Sequence, residues 1–365
     1  MPEKVKITCK QIILIIMISR GILPITYFPG FVDPPGNQDV WIATLLGYPV
    51  MLFFSIPLYL LWKRFPNETI FQYSRTIFGK AGKLIGILYI LFLIHFTAIN
   101  LSQLSMFLTT ATMPETPLLF FLISMLLVSA YVVHNGLEVL ARLSELIGPI
   151  MLIAVTMIVV LVAKEMDFKA LLPMLEKGFT PLLFEGFVIT QRTVEILGLA
   201  ILLPFLNESN PKNAKKVFEL SLILCSYFML LTSIAIVTTF GVGVGKTLTF
   251  PFYNVVRIIA VADFIERIDA IHIALWVLGG IIKVAFYYYL VVLGISQLLN
   301  LQAYKPIVLP VGTIIVPLSV IVGENIVELQ NFTSYKVFTW YSSIFIFLIP
   351  CSLLITSFIK KTSKF

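Results

Sequence analysis

Three short stretches combine residue types that could hold a small solute inside an otherwise apolar chain of 365 residues. The first is Ser19-Arg20-Gly21-Ile22-Leu23-Pro24, within the apolar run of residues 11–30. Pro24 has no amide hydrogen and its ring crowds the preceding turn, while Gly21 weakens that turn further, so a helix is expected to open there. The second is the polar insert Thr190-Gln191-Arg192-Thr193 in another apolar run. The third is Lys283 in GGIIKVAFYYYL, with Tyr287 four residues on and hence on the same helical face. Backbone opened at membrane depth is tolerated only where protein or a watery cavity surrounds it. The amino ends of the half-helices then favour anions, and the freed carbonyls favour cations. The expected substrate-binding set is therefore Gly21, Ile22 and Pro24 for close backbone approach, Thr190 and Gln191 for hydrogen bonds, and Lys283 with Tyr287 for charge and shape. A polar stripe at three- and four-residue spacing, His95, Ile99, Ser102, Gln103 and Met106, adds Ile99 and Gln103 as candidates facing the breaks.

Each feature also has an ordinary reading. Taken singly, either break is equally a proline kink or a polar packing patch, and the stripe equally a set of interhelical hydrogen bonds. His95 alone reads as structural. An ionisable group in a span is expensive, by about 2.5 kcal/mol or more, so Lys283 needs a partner or a role. It either balances a carboxylate, stands where a transporter binds sodium, or pairs structurally with Glu145 or Glu195. Arg20 and Arg192 adjoin the breaks, or lie at the interface if the span ends shift by a turn.

The composition excludes several function classes. Hydrophobic residues make up 59% of the chain and charged residues 12%, with a mean hydropathy of +0.98, as expected for a polytopic membrane protein. The net charge of +7 comes from short basic clusters between apolar runs, which gives no nucleic-acid surface. The basic start before the first run mimics a signal peptide, but Arg20 interrupts that run and no small-residue cleavage site follows. Cys9, Cys225 and Cys351 are far apart, and His95, His134 and His272 are scattered, so neither a disulfide framework nor a metal site is expected. GVGVGKT at 241–247 imitates a phosphate loop but has Phe240 where glycine is required. With no clustered acid, base or metal ligands, no catalytic residues and no cofactor are expected, and the chain does not read as an enzyme.

Ten spans can position these residues. They run approximately over 11–28, 41–61, 84–110, 117–133, 143–163, 181–205, 217–240, 271–299, 307–322 and 338–359. With the N-terminus inside, sixteen Lys and Arg residues fall in cytoplasmic segments and seven outside, so the positive-inside rule puts both termini in the cytoplasm. Loops 63–83 and 241–270 each hold a Phe-Pro pair (Phe65-Pro66, Phe250-Pro251) before an amphipathic helix candidate, and they follow the second and seventh spans. The broken first and sixth spans are also five apart. An odd offset inverts the second half relative to the first, which is the transporter-type inverted repeat. The chain is thus expected to be one all-α membrane domain over 1–365, with repeats at about 11–163 and 179–359.

Several stretches closely resemble, in order, the B subunits of bacterial spore germinant receptors. They are DVWIATLLGYP (39–49), FPNETI (65–70), GLEVLARLSEL (136–146), ALLPMLEKG (170–178), LTFPFYNVVRII (248–259), DFIERIDA (263–270), GGIIKVAFYYYLVVLGISQLLNL (279–301) and YKPIVLPVG (304–312). That family belongs to the amino acid–polyamine–organocation superfamily. The resemblance implies a five-plus-five, LeuT-like fold with helices 1 and 6 broken. It also implies a nutrient sensor in the spore inner membrane that binds a small-molecule germinant, with an amino acid as the favoured class, and signals with an A subunit and a C lipoprotein subunit. A secondary amino acid transporter is the alternative, because fold does not settle function. Carried over, the family's break falls on Gly21–Pro24 and its lysine on Lys283. Its third- and sixth-span pocket positions fall near Ile99, Gln103 and Thr190. The insert at 190–193 is where this chain is expected to depart from its relatives.

Overall fold

In lipid an uncharged run of Leu, Ile, Val and Phe leaves backbone polar groups no partner but one another, so helix is the element such runs must form. The computed structural model describes residues 6–26, 28–31, 33–207, 210–259 and 268–360, and it is helical along most of that length. Most of DFIERIDA lies outside the described residues. The helices are α1 (Cys9–Thr26), α2 (Val40–Arg64), α3 (Ile70–Phe78), α4 (Lys80–Phe107), α5 (Leu118–Asn135) and α6 (Leu137–Leu161). They continue as α7 (Thr180–Arg192), α8 (Glu195–Leu202), α9 (Pro211–Gly245), α10 (Pro251–Ile258) and α11 (Ile268–Leu298). The last are α12 (Val308–Val322), α13 (Ile326–Thr333), α14 (Phe338–Ser343) and α15 (Ile349–Ile359), with a π turn joining the final two into one apolar rod.

Among the described residues, eight helices are long and apolar enough to cross a membrane, and nine if the bent pair α7–α8 is one span. The protein is therefore a multi-pass membrane protein, all-α as expected. The tenth expected span is α1, which is not among the nine. Its Ile12–Ile18 run is buried on every side, because α6, α8, α9, α10 and α11 all pack on it. The difference between an enclosed and a peripheral helix is large: 83% of the apolar stretch of α11 is buried, against 28% for the span ending at Val322.

The two expected breaks turn out differently. The sixth span is broken: α7 and α8 meet at Thr193-Val194 with a bend of 46°. Thr193 leaves the helical region at φ −88° and ψ 69°, and its amide bonds back to Thr190 O at 3.0 Å, which closes α7 one residue after Arg192. The first span does not open at Gly21–Pro24. Instead α1 runs unbroken to Thr26 with Pro24 inside its last turns, where a missing donor costs least because few turns remain to be disrupted. Pro149 likewise sits within the continuous helix α6. Both Phe-Pro loops carry the amphipathic helices expected of them, α3 and α10.

Candidate functional site: a buried ion cluster between three cavities

Arg192 is the last residue of α7, and the bend that follows frees its side chain to cross the bundle. Its two terminal nitrogens grip Asp33 in the loop after α1: NH1 bonds Oδ2, and NH2 bonds Oδ1 at 3.1 Å. NH2 also donates to Thr333 O at 2.8 Å, and the amide of Tyr335 donates to Asp33 Oδ1 at 3.3 Å. One ion pair thus ties α7, the 33–39 loop and the C-terminal end of α13 together. The bidentate geometry is particular to a planar guanidinium; lysine could not reproduce it. Both partners are buried, so the attachment persists only while each satisfies the other.

Arg192 also lies at the junction of three cavities. The largest, about 270 Å³, is bounded by Phe31, Asp33, Gln103 and Arg192 within, and by exposed Lys246, Thr249 and Gln330 towards solvent. Beneath it an apolar cavity of about 60 Å³ is lined by Leu23, Phe96, Ile99 and Phe338, with the amides of Asn100 and Gln103. Beside that lies a charged cavity of about 20 Å³ lined by Arg20, Leu23, Glu185, Ile189, Arg192 and Met229. Glu185, Ile189 and Arg192 share one face of α7, and Glu185 interacts electrostatically with both Asp33 and Arg192.

Deeper in the bundle is a second cluster. Lys283 Nζ, on α11, lies 3.4 Å from Glu195 Oε1 and donates to Ser19 O at 2.7 Å. The Ser19 hydroxyl donates to the same Glu195 oxygen at 3.1 Å. Glu195 is the first residue of α8, where the positive end of the helix dipole favours a carboxylate. The Tyr287 ring lies 5.9 Å from the Lys283 nitrogen. Arg20 adjoins both clusters electrostatically, and one of its terminal nitrogens contacts Met229 Sδ at 3.1 Å.

The structure distributes the nine candidate residues over several environments. Ile99 and Gln103 line the cavities, and Pro24 lines the small charged one. Lys283 and Tyr287 belong to the deeper cluster, where Glu195, one of the two structural partners considered for the lysine, is the one found. Glu145 instead pairs with Lys10 at 3.2 Å. Gly21 turns towards α6 and α9: a Cβ placed there would lie 3.3 Å from Met151 and Phe228. Ile22 packs against Gly279 on α11. Thr190 spends its hydroxyl on Gly186 O at 2.8 Å, and Gln191 is fully buried with both amide atoms unpartnered. The stripe on α4 divides as well. His95 Nδ1 meets the Tyr341 hydroxyl at 3.1 Å, and Ser102 packs at Gly323. Asp33 and Glu185 were not anticipated. Glu185 had a signal, an acid in an apolar run two turns before an arginine; Asp33 had only its place after the first span.

The sequence profile described as "Spore germination protein" matches residues 6–328. The chain belongs to the spore germination protein family. Spore germination protein KB of Bacillus subtilis (strain 168) is 28% identical over 334 residues, spanning 90% of this chain and 88% of that protein. Spore germination protein YndE of the same strain is 28% identical over 298 residues, 80% of this chain and 81% of that one. Spore germination protein XB of Bacillus anthracis is 21% identical over 97% of this chain and 98% of its own length. Among solved structures, MhsT in complex with L-phenylalanine aligns over 92% of this chain and 77% of its own, with 16% identity and a TM-score of 0.45. The resemblance to germinant receptor B subunits thus extends, as family membership, over nearly the whole of this spore germination protein.

Proposed function

We propose that this spore germination protein is the membrane-embedded B subunit of a germinant receptor. In this role it binds a small nutrient in the cavities around Arg192 and passes the event to an A subunit and a C lipoprotein in the spore inner membrane. The observation that carries the proposal is the Arg192–Asp33 pair. It lines both the large cavity, rimmed by exposed residues, and the smaller apolar one, and it joins α7, the 33–39 loop and the end of α13. A ligand shifts such an assembly only by its differential affinity for the two states of the pair. The bent sixth span, the amphipathic helices five spans apart and the excess of basic residues on one side support a five-plus-five inverted repeat with cytoplasmic termini.

The test replaces Asp33 by Asn in the spore-forming host. At matched accumulation in the spore membrane, the variant should lose its nutrient response, because Arg192 is released from the loop; unchanged germination would overturn the role of the pair. A secondary amino acid transporter is the second reading, favoured by the cavities beside a bent span. Sustained, saturable uptake of labelled amino acid by proteoliposomes would select it over the sensor.

A further inference from the structure

The corner between α3 and α4 gathers positive charge in excess of its acids. Between residues 63 and 83 the sequence carries five basic residues and one acid, Glu68, which accepts from the Thr76 hydroxyl at 3.1 Å. Arg75 lies in the last turn of α3, Gly79 turns the chain at φ 61°, and Lys80 and Lys83 open α4. All three cations are exposed, and none of them forms an ion pair among the described residues. Lysines in the first turn of a helix oppose its dipole; acids would suit that turn, and α4 has none there. A further cation arrives from the far end of the chain. Lys360, just past α15, donates to Ile77 O at 3.0 Å and lies 5.7 Å from the Phe78 ring. An ammonium has three donors, so two are left for an outside acceptor.

Along α4 these charges continue into an apolar stripe. Lys80, Leu84, Ile87 and Leu91 follow one another at four- and three-residue spacing and so share one helical face. Leu84 and Leu91 are 59% and 56% exposed, on a helix long and apolar enough to cross a membrane. The surface therefore has a cationic head and an apolar tail. A soluble polyanion would meet only the head, and a neutral lipid only the tail. We infer that this corner binds an anionic phospholipid. Arg75, Lys80, Lys83 and Lys360 meet its phosphate, and one acyl chain follows Leu84, Ile87 and Leu91. Juxtamembrane basic clusters are drawn to anionic headgroups in this way. The bound lipid relieves the repulsion among the four cations and reinforces the attachment of α15 to α3. That attachment has a neighbour in Arg64, which donates to Ser357 O at 3.0 Å and lies 4.3 Å from the Phe358 ring. The surface shares no residue with the cavities around Arg192, so it stands apart from the nutrient reading.

The test is lipid binding to the purified, full-length protein in detergent, titrated by native mass spectrometry. The probes are dioleoylphosphatidylglycerol, dioleoylphosphatidylcholine and dihexanoylphosphatidylglycerol. The first should bind at least about tenfold more tightly than the second, which has no net charge. It should also bind at least about tenfold more tightly than the third, which has the same headgroup on short chains. Arg75→Gln with Lys80→Gln and Lys83→Gln should weaken the first by about ten- to a hundredfold. Lys164→Gln with Lys169→Gln and Lys336→Gln removes the same charge from exposed positions elsewhere and should leave it unchanged. Equal weakening by both sets would make the attraction one of net charge alone and overturn the site. Equal affinity for the two dioleoyl lipids would overturn it as well. Short-chain binding as tight as long-chain binding would make this a free-anion site and overturn the lipid. If the first triple variant fails to fold, the three lipids on the unaltered protein decide the matter alone.

Discussion

At the scale of single residues, the two arginines and the lysine within the bundle do different things, although the sequence presents each as one charge in an apolar run. Lys283 is committed: Glu195 Oε1 and Ser19 O take its donors in a dry setting, and α11, α8 and α1 are thereby fixed to one another. Removing one partner of a buried pair strands the other, which typically costs about 3–5 kcal/mol, whereas replacing both by apolar groups of like volume is often neutral. Lys283→Ala should therefore lower the thermal transition in detergent markedly, and Lys283→Met with Glu195→Leu should recover most of the loss. If the single variant is as stable as the unaltered protein, the pair is not structural and the lysine is free for a ligand. The sequence marked Lys283 as needing an explanation and offered Glu195 as a partner. It could not choose between a structural and a ligand role, because that depends on a contact across 88 residues of chain.

At the scale of elements, the helices and their order were legible because apolar length and charge-free runs determine them. The state of each proline was not. Pro24 and Pro149 are tolerated inside α1 and α6, while the break in the sixth span falls at Thr193, with no proline or glycine at the point of bending. What holds that bend is tertiary: Arg192 is pulled to Asp33, and Glu195 to Lys283 and Ser19, on either side of it. Close packing completes the fixing. A Cβ on Gly198 of α8 would approach Phe286 of α11 to 2.4 Å, so Gly198→Ala should destabilise by about 1–3 kcal/mol, with relief when Phe286 is shortened to Leu. Thermal melts of the two variants decide it; an unshifted melt for Gly198→Ala would mean that α8 is free to slide. Gly21 tests the same logic on α1. Its Cβ would press on Met151 and Phe228 rather than enter a cavity, so a bulky residue there should lower stability before it blocks any ligand.

At the scale of the whole molecule, the loop after α1 gathers the end of the bundle that holds Asp33. Asp33 binds Arg192, and Asp39 accepts from the amide of Leu175 at 2.9 Å. Gln38 donates to Pro173 O at 2.6 Å, and Lys177 donates to Pro35 O at 2.7 Å. The 173–177 segment leads directly into α7, so the loop grips the sixth span at both of its approaches: ahead of α7 and at the end of α7. None of this was legible in the sequence, where residues 33–39 read only as a turn between two spans, because the contacts join positions more than 130 residues apart. The arrangement ties access to the inner cavity to the state of one ion pair. If Arg192 and Asp33 separate, the 33–39 loop loses its inner anchor while its outer ones remain, and the wall between the large and the apolar cavity opens. A cysteine at Gln330, on the rim of the large cavity, reports the outer side; one at Asn100, in the inner cavity, reports the opening. With Cys9, Cys225 and Cys351 replaced by Ser, a membrane-impermeant maleimide should label Gln330→Cys readily. It should label Asn100→Cys slowly, and several-fold faster once Asp33→Asn is added. Equal labelling of Asn100→Cys with and without Asp33→Asn would show that the pair does not separate the cavities, and the nutrient would then have to enter by a path that avoids Arg192.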